Sequence, residues 1–429
     1  MSVALLSLVL ACRFFGLFVV MPLLALYVLS FDDCTPLLLG LSMGIYALSQ
    51  VLFQIPFGSL SDKYGRKPLI ALGIVIFIIG SLVCAFAQSA QMLVFGRFLQ
   101  GVGAIGGVVS AMIADVVPES RRTKAMATMG ASISLSFALA MIIGSIEKDA
   151  STLFVLACVL SAFSLLLLFF VPNVAHVQFS YSQKATDGAN KNLWIMNASN
   201  FLQKMFMTFA FVIIPLLLAQ DGIAKESMWQ FYIPAALLGV LAMAPAAILA
   251  EKRGKFKLVL AIGIVLFVLA YLCLLLLGAN LALLAVGCVL FFVGFCFHEP
   301  ILQSLASRYC KAHQKGKALG IFTSCGYMGS FFGGLFGSVA FSSVEAPLLF
   351  GIIAAVCAAW LLVLRFLDSP TKLGVFYHAF NHESDLAHLS SLQTLEGVSE
   401  YYINHTEKQV VIRYNASLIT EQKIAESLK

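Results

Sequence analysis

Charge is what this chain has least of. Of its 429 residues, 11% are Asp, Glu, Lys or Arg and 60% are hydrophobic; soluble domains run near ~25% charged. No soluble core hides that much apolar surface, so the solvent is lipid. Paired cysteines are also missing. The ten Cys are scattered, mostly inside apolar runs, without a Cys-x-x-Cys, and Cys34 alone lies near an outer loop. This excludes a disulfide framework and a thiolate metal site, and leaves small apolar fillers. A glycine-rich nucleotide-binding loop is absent, which argues against an ATP-driven pump. No nucleophile–base set stands at a membrane surface, so an enzyme is not expected, nor is a cofactor. The N-terminus has no basic stretch and no small-residue cleavage site, and Arg13 interrupts its apolar run; it reads as a first span, not a signal peptide.

What is present is twelve apolar runs, at roughly 3–31, 36–60, 68–88, 91–113, 124–146, 151–171, 192–219, 227–250, 258–278, 280–306, 317–341 and 346–367. They are continuous rather than alternating, which predicts spanning helices and not a barrel. The net charge of +6 invites a nucleic-acid partner, but its placement gives a simpler reason. If the turn Gly58–Lys67 faces the cytoplasm, eighteen of the 27 Lys and Arg fall on that side and only Lys148 and Lys225 on the other. The positive-inside rule then puts both termini in the cytoplasm, with lipid and not nucleic acid as the macroscopic partner; the expected location is the inner membrane of a bacterium.

The chain also repeats itself. Asp62-Lys-Tyr-Gly-Arg-Lys-Pro is echoed by Glu251-Lys-Arg-Gly-Lys-Phe-Lys, and Ala71-Leu-Gly-Ile-Val-Ile-Phe by Ala261-Ile-Gly-Ile-Val-Leu-Phe. Nearly equal offsets predict two six-helix halves in one orientation, residues 1–171 and 192–367, joined by a polar cytoplasmic linker, 172–191. Residues 371–429 are polar. Leu373–His378, Val398–Asn404 and Gln409–Tyr414 read as strands, and Glu383–Leu395 and Leu418–Leu428 as helices. That order, β-α-β-β-α, is a ferredoxin-like unit without its last strand. Its open sheet edge is expected to dock on the transporter or on another copy. His378 and His382 flank one loop, which is too few ligands for a metal site.

The most informative segment is Gly58-Ser-Leu-Ser-Asp62-Lys-Tyr-Gly65-Arg66-Lys67. Together with twelve spans, a parallel six-plus-six repeat and Arg97-Phe-Leu-Gln100-Gly101-Val-Gly103, it resembles the major facilitator superfamily. Arg13 with Gly16 and Pro22 suits the drug:proton antiporter branch, and the tail is similar to members with a small cytoplasmic ferredoxin-like domain. The resemblance implies an all-α polytopic membrane protein that moves a small molecule by alternating access, with protons as the coupled ion. One departure stands out: Ala140-Met141 replaces the Gly-Pro pair usual late in helix 5 of efflux members.

The same resemblance implies a switch. Gly58 would let helix 2 approach its neighbour, Asp62 would dock on the start of helix 11 near Gly316–Leu319 while the site faces out, and Arg66 would pair with Asp115. Gly65 and Lys67 complete the motif; for Lys63 and Lys67 topological anchoring is a sufficient reading. Inside the membrane, ionisable groups need a reason. Arg97, Gln100 and Gly101 share a face of helix 4, either toward a cavity or as a hydrogen-bond hub; Arg13 has the same two readings. Glu299 is the one acid well inside a span and the first candidate for proton coupling, with His298 tuning it. The alternative is capping of groups freed by Pro300. Lys204 is expected to bind an anionic group or pair with an acid, or else to snorkel. Export of small amphipathic or sugar-like compounds by proton antiport is the leading expectation. Proton-coupled uptake and a transporter-like sensor are the alternatives.

Overall fold

A computed structural model describes residues 2–117, 119–172, 179–181, 191–276, 280–310, 315–368, 373–380, 392, 395–404, 408–416 and 418–427. Twelve helices are long and apolar enough to span a bilayer: α1 Ser2–Leu29, α2 Pro36–Tyr64, α3 Arg66–Ala85, α4 Ala90–Val116, α5 Glu119–Ile146, α6 Ala150–Phe169, α7 Lys191–Gln220, α8 Lys225–Lys252, α9 Phe256–Leu276, α10 Leu281–Tyr309, α11 Lys315–Ser343 and α12 Ala346–Arg365. Side chains such as Leu52, Ile55, Phe169 and Leu241 stand exposed around them, as lipid requires.

Four of the even-numbered helices, α2, α4, α6 and α10, start with side-chain caps. Thr35 accepts from the Leu38 amide at 3.2 Å, Ser89 from Met92 at 3.1 Å, Asp149 from Ser151 and Thr152, and Asn280 from Ala282 at 2.9 Å. Each occupies one of the otherwise orphaned amides of a first turn. Two spans are broken: α1 between Phe18 and Met21, and α4 between Val102 and Gly106.

The helices pack as two groups. In the first, α1 lies on α5 and α6, α4 on α2 and α3, and α3 on α6; in the second, α7 lies on α11 and α10, and α9 on α10 and α12. The groups meet through α2 with α11 and through α5 with α8, pairs that exchange under the internal repeat. Gly40 and Gly44 of α2 sit so near Gly334 and Phe331 of α11 that a Cβ would come within 3 Å of backbone atoms, and Ser338 donates to the Pro36 carbonyl. All of these lie at the end opposite the charged turn. Toward the charged turn a Cβ added at Gly58 or Gly320 would meet no atom within 4 Å, so the close approach of α2 and α11 is not repeated at those positions.

A four-stranded antiparallel sheet completes the chain: β1 Phe179–Tyr181, β2 Leu373–Ala379, β3 Val398–Asn404 and β4 Gln409–Asn415, in the order β1-β3-β4-β2. The linker adds a strand beside β3, Phe179 pairing with Asn404 and Tyr181 with Tyr402. The last strand that a ferredoxin-like unit would add belongs beside the first tail strand, β2, which remains an edge of the sheet among the described residues. The expected helix Glu383–Leu395 falls largely outside the described residues, as does His382. The last helix is Glu421–Ser427.

Candidate functional site

The charged turn is built on a glycine. Gly65 has φ +95°, a backbone that side-chain-bearing residues rarely adopt, and it separates α2 from α3. The turn brings Arg66 to the base of α4. Its Nε lies 3.2 Å from Asp115 and its Nη1 2.5 Å from Asp62 and 2.7 Å from Ser61 Oγ. Arg66 and Asp115 are mostly buried, whereas Asp62 is 55% exposed. A Cβ added at Gly58 would meet no atom within 4 Å, so the expected close approach is not made in this conformation. The docking partner proposed for Asp62 begins among residues 311–317, whose side chains lie outside the described set. Lys67 does more than mark topology: its ammonium reaches the Phe169 carbonyl at 3.1 Å and the Val171 carbonyl at 2.8 Å, capping α6.

The second copy of the turn works with reversed polarity. Here the turn supplies the acid. Glu251 accepts from Ser304 at 3.0 Å and lies 3.6 Å from Arg308 at the base of α10. In the first half the turn supplies the base, and α4 the acid. Charge reversal across a repeat is invisible to motif matching.

Deeper in the first half, Arg13 and Arg97 are each 1% exposed. Arg97 Nε donates to the Ser42 carbonyl at 3.2 Å, and Nη1 to Gln100 Oε1 at 2.7 Å; Gln100 Nε2 in turn donates to Ser81 at 2.7 Å. Arg13 donates to Tyr46 Oη at 3.2 Å, to the Gln100 carbonyl at 3.3 Å and to the Gly103 carbonyl. Gln50 donates to the Gly101 carbonyl at 3.0 Å. The break in α4 exposes those carbonyls, and side chains of α1 and α2 satisfy them. The hub reading therefore describes Arg13, Arg97, Gln100 and Gly101 in this conformation. Gly101 is needed for fit: a Cβ there would lie 1.8 Å from Ser49 Oγ and 2.3 Å from the Tyr46 carbonyl.

In the second half the structure joins two residues that were separate candidates in the sequence. Lys204 of α7 lies 2.8 Å from Glu299 of α10, and Gln203 Nε2 donates to the same carboxylate oxygen at 3.0 Å. The side chains are 20% and 29% exposed, so the pair is neither sealed nor fully solvated. The Lys204 ammonium also sits 5.0 Å above the Phe295 ring. Phe295 meets Phe137 of α5 at 5.5 Å, and Phe137 meets Phe18 of α1 edge-on at 5.0 Å. An aromatic chain thus runs from the ion pair across the boundary between halves. Sequence reading missed Phe137 and Gln203; among 36 Phe and with no period to mark it, Phe137 carries no signal of its own.

His298 goes elsewhere. It is fully buried, with Nε2 2.8 Å from the Leu260 carbonyl and its ring against Phe267 and Trp360. Adjacent residues on a helix point about 100° apart, so His298 faces α9 and α12 while Glu299 faces α7. Among the described residues no cluster of His, Cys, Asp and Glu could hold a metal ion.

The profile of the Major Facilitator Superfamily matches residues 6–254 and 193–396. The inner membrane transport protein YajR of Escherichia coli (strain K12) is 30% identical over 98% of this chain and 95% of its own. The class B tetracycline resistance protein of Escherichia coli is 27% identical over 78% of this chain and 88% of its own. The crystal structure of a D-xylose–proton symporter superposes with a TM-score of 0.70 at 15% identity, covering 86% of this chain and 98% of that one.

Proposed function

The chain belongs to the major facilitator superfamily, and on that premise we propose that it exports a small amphipathic molecule from the cytoplasm in exchange for protons. The observation that carries this reading is the ion pair Lys204–Glu299 with Gln203. A coupling site needs a carboxylate that is charged in one state and neutral in the other, held where its environment changes between them. Glu299 is the one acid deep in a span, and its charge has a partner that a proton would release.

The positive-inside reading puts the charged turns and both termini in the cytoplasm of a bacterium; the close contacts of Gly40 and Gly44 with α11 then lie at the outer end and the free space at Gly58 and Gly320 at the inner one, as in an inward-facing conformation. The Gly40–Gly44–Gly334 contact and the Phe137–Phe295 contact form the outer gate. Closure at the other end would bring Gly58 and Asp62 to α11, while Arg66–Asp115 and Glu251–Arg308 brace the two turns. The tetracycline resistance relative supports outward transport.

Purified protein in liposomes decides the matter. An imposed proton gradient is expected to drive uptake of a hydrophobic dye into inside-out vesicles, with proton release, and Glu299→Gln is expected to abolish the coupling. If Glu299→Gln leaves proton-coupled flux unchanged, the assignment is wrong.

A further inference from the structure

The membrane interior holds more cation than acid. Arg13, Arg97 and Lys204 lie within spans, and Glu299 balances only Lys204. Every acid in the first half lies near a helix end or in a turn: Asp32, Asp33, Asp62, Asp115, Glu119, Glu147 and Asp149. Arg13 and Arg97 flank one tyrosine: Arg13 donates to the Tyr46 hydroxyl, and the Arg97 guanidinium stands 5.4 Å from the Tyr46 ring. Both also bond to Gln100. Two buried like charges this near each other, with no carboxylate bonded to either among the described residues, are costly, and dipoles alone offset that cost incompletely. The Nε of Arg13 is buried and has no hydrogen-bond partner among the described residues.

The donors around this centre are unspent. Tyr46 Oη accepts from Arg13 Nη1, and among the described residues its own proton has no acceptor. Tyr327 of α11 packs on the cluster of Leu17, Tyr46 and Phe77, and among the described residues its hydroxyl likewise has no hydrogen-bond partner. One hydroxyl belongs to each half, and both stand at the boundary that transport must open and close.

We propose that Tyr46 and Tyr327, backed by Arg13, form an anion subsite between the halves that takes a carboxylate-like head group of the cargo. The inference rests on the transporter reading above and names the charge of its cargo. The missing counter-charge arrives with the ligand, and contacts from both halves couple its binding to closure. Outward movement of an anion against inward movement of a proton sends both charges along the membrane potential.

The test is equilibrium dialysis of the full-length protein in detergent, in chloride-free buffer, with 1-naphthoate, neutral 1-naphthamide and 1-naphthylmethylammonium. Naphthoate is expected to bind at least tenfold tighter than either isostere. Tyr327→Phe, which removes a hydroxyl that bonds no described group, is expected to weaken naphthoate by roughly tenfold to a hundredfold and leave the amide unchanged; Arg13→Lys keeps part of the preference and Arg13→Met none. Competition by chloride would assign the site to a resident inorganic anion; indifference to chloride assigns it to cargo. Equal binding of amide and carboxylate, an unchanged preference in Tyr327→Phe, or no response to naphthoate or chloride overturns the proposal. Binding here needs no proton gradient, so Glu299→Gln is expected to retain it; failure of coupling and failure of this subsite are read separately.

Discussion

Lys204 and Glu299 hold each other's charge in a setting that is about three-quarters buried. Removing one member strands the other, which costs more than removing both. Lys204→Met is therefore expected to lower stability by about 1–2 kcal/mol, discounted for the partial exposure of the pair, and the double variant Lys204→Met/Glu299→Gln to recover most of the loss. Unfolding of the detergent-solubilised protein checks this, and a double variant no better than the single one refutes the pairing. The sequence placed both residues in the interior, because an ionisable group in an apolar run stands out. It left their partnership open, since α7 and α10 are 95 residues apart at these positions. The hub at Arg97 was half legible: the i, i+3, i+4 face was readable, while the carbonyls it satisfies exist only because α4 breaks.

At the scale of elements, glycines with near-identical sequence signatures do different work. Gly101→Ala drives a methyl into α2 within the first half, so it is expected to cost about 1–3 kcal/mol in stability with no conformational preference. Gly44→Ala strikes α11 in the other half and is expected to disfavour this conformation, measured as reduced labelling of a cysteine placed at Gly320. Gly329, Gly333 and Gly337 lie against Phe201, Met205 and Phe209 of α7 inside one half, whereas Gly334 on the next face meets Gly40 and Gly44 of α2 in the other half. Where the linker and tail flank the second half, Lys191 and Asn192 at the start of α7 hold the Asp368 carboxyl below the usual carboxylate range. A lowered folded value stabilises above the ordinary carboxylate pKa and is lost as pH falls through it. Wild type and Asp368→Asn should differ in melting temperature at neutral pH and converge under acid; a constant difference would remove Asp368 from the account.

For the whole molecule, the charged-turn end makes a prediction of opposite kind. Gly58 has free space in this conformation, so Gly58→Trp is expected to fold normally and to arrest transport by obstructing closure. Dye flux near background with an unchanged melting temperature is the expected result, and full flux would show that α2 does not approach α11 there. The linker strand ties the tail to the segment between the halves: β1 lies between them in sequence and pairs with β3.

By itself the sequence determined twelve spans, their grouping and the charged turns, because lipid imposes length and apolarity locally and a repeat is a pattern along the chain. It also marked the interior charges, since each is costly in lipid. Which of those charges meet, that the second turn pairs with reversed polarity, that the linker adds a strand beside β3, and where along their length α2 and α11 touch were decided only by tertiary structure. Those are distances between segments far apart in the chain, and packing between helices fixes them.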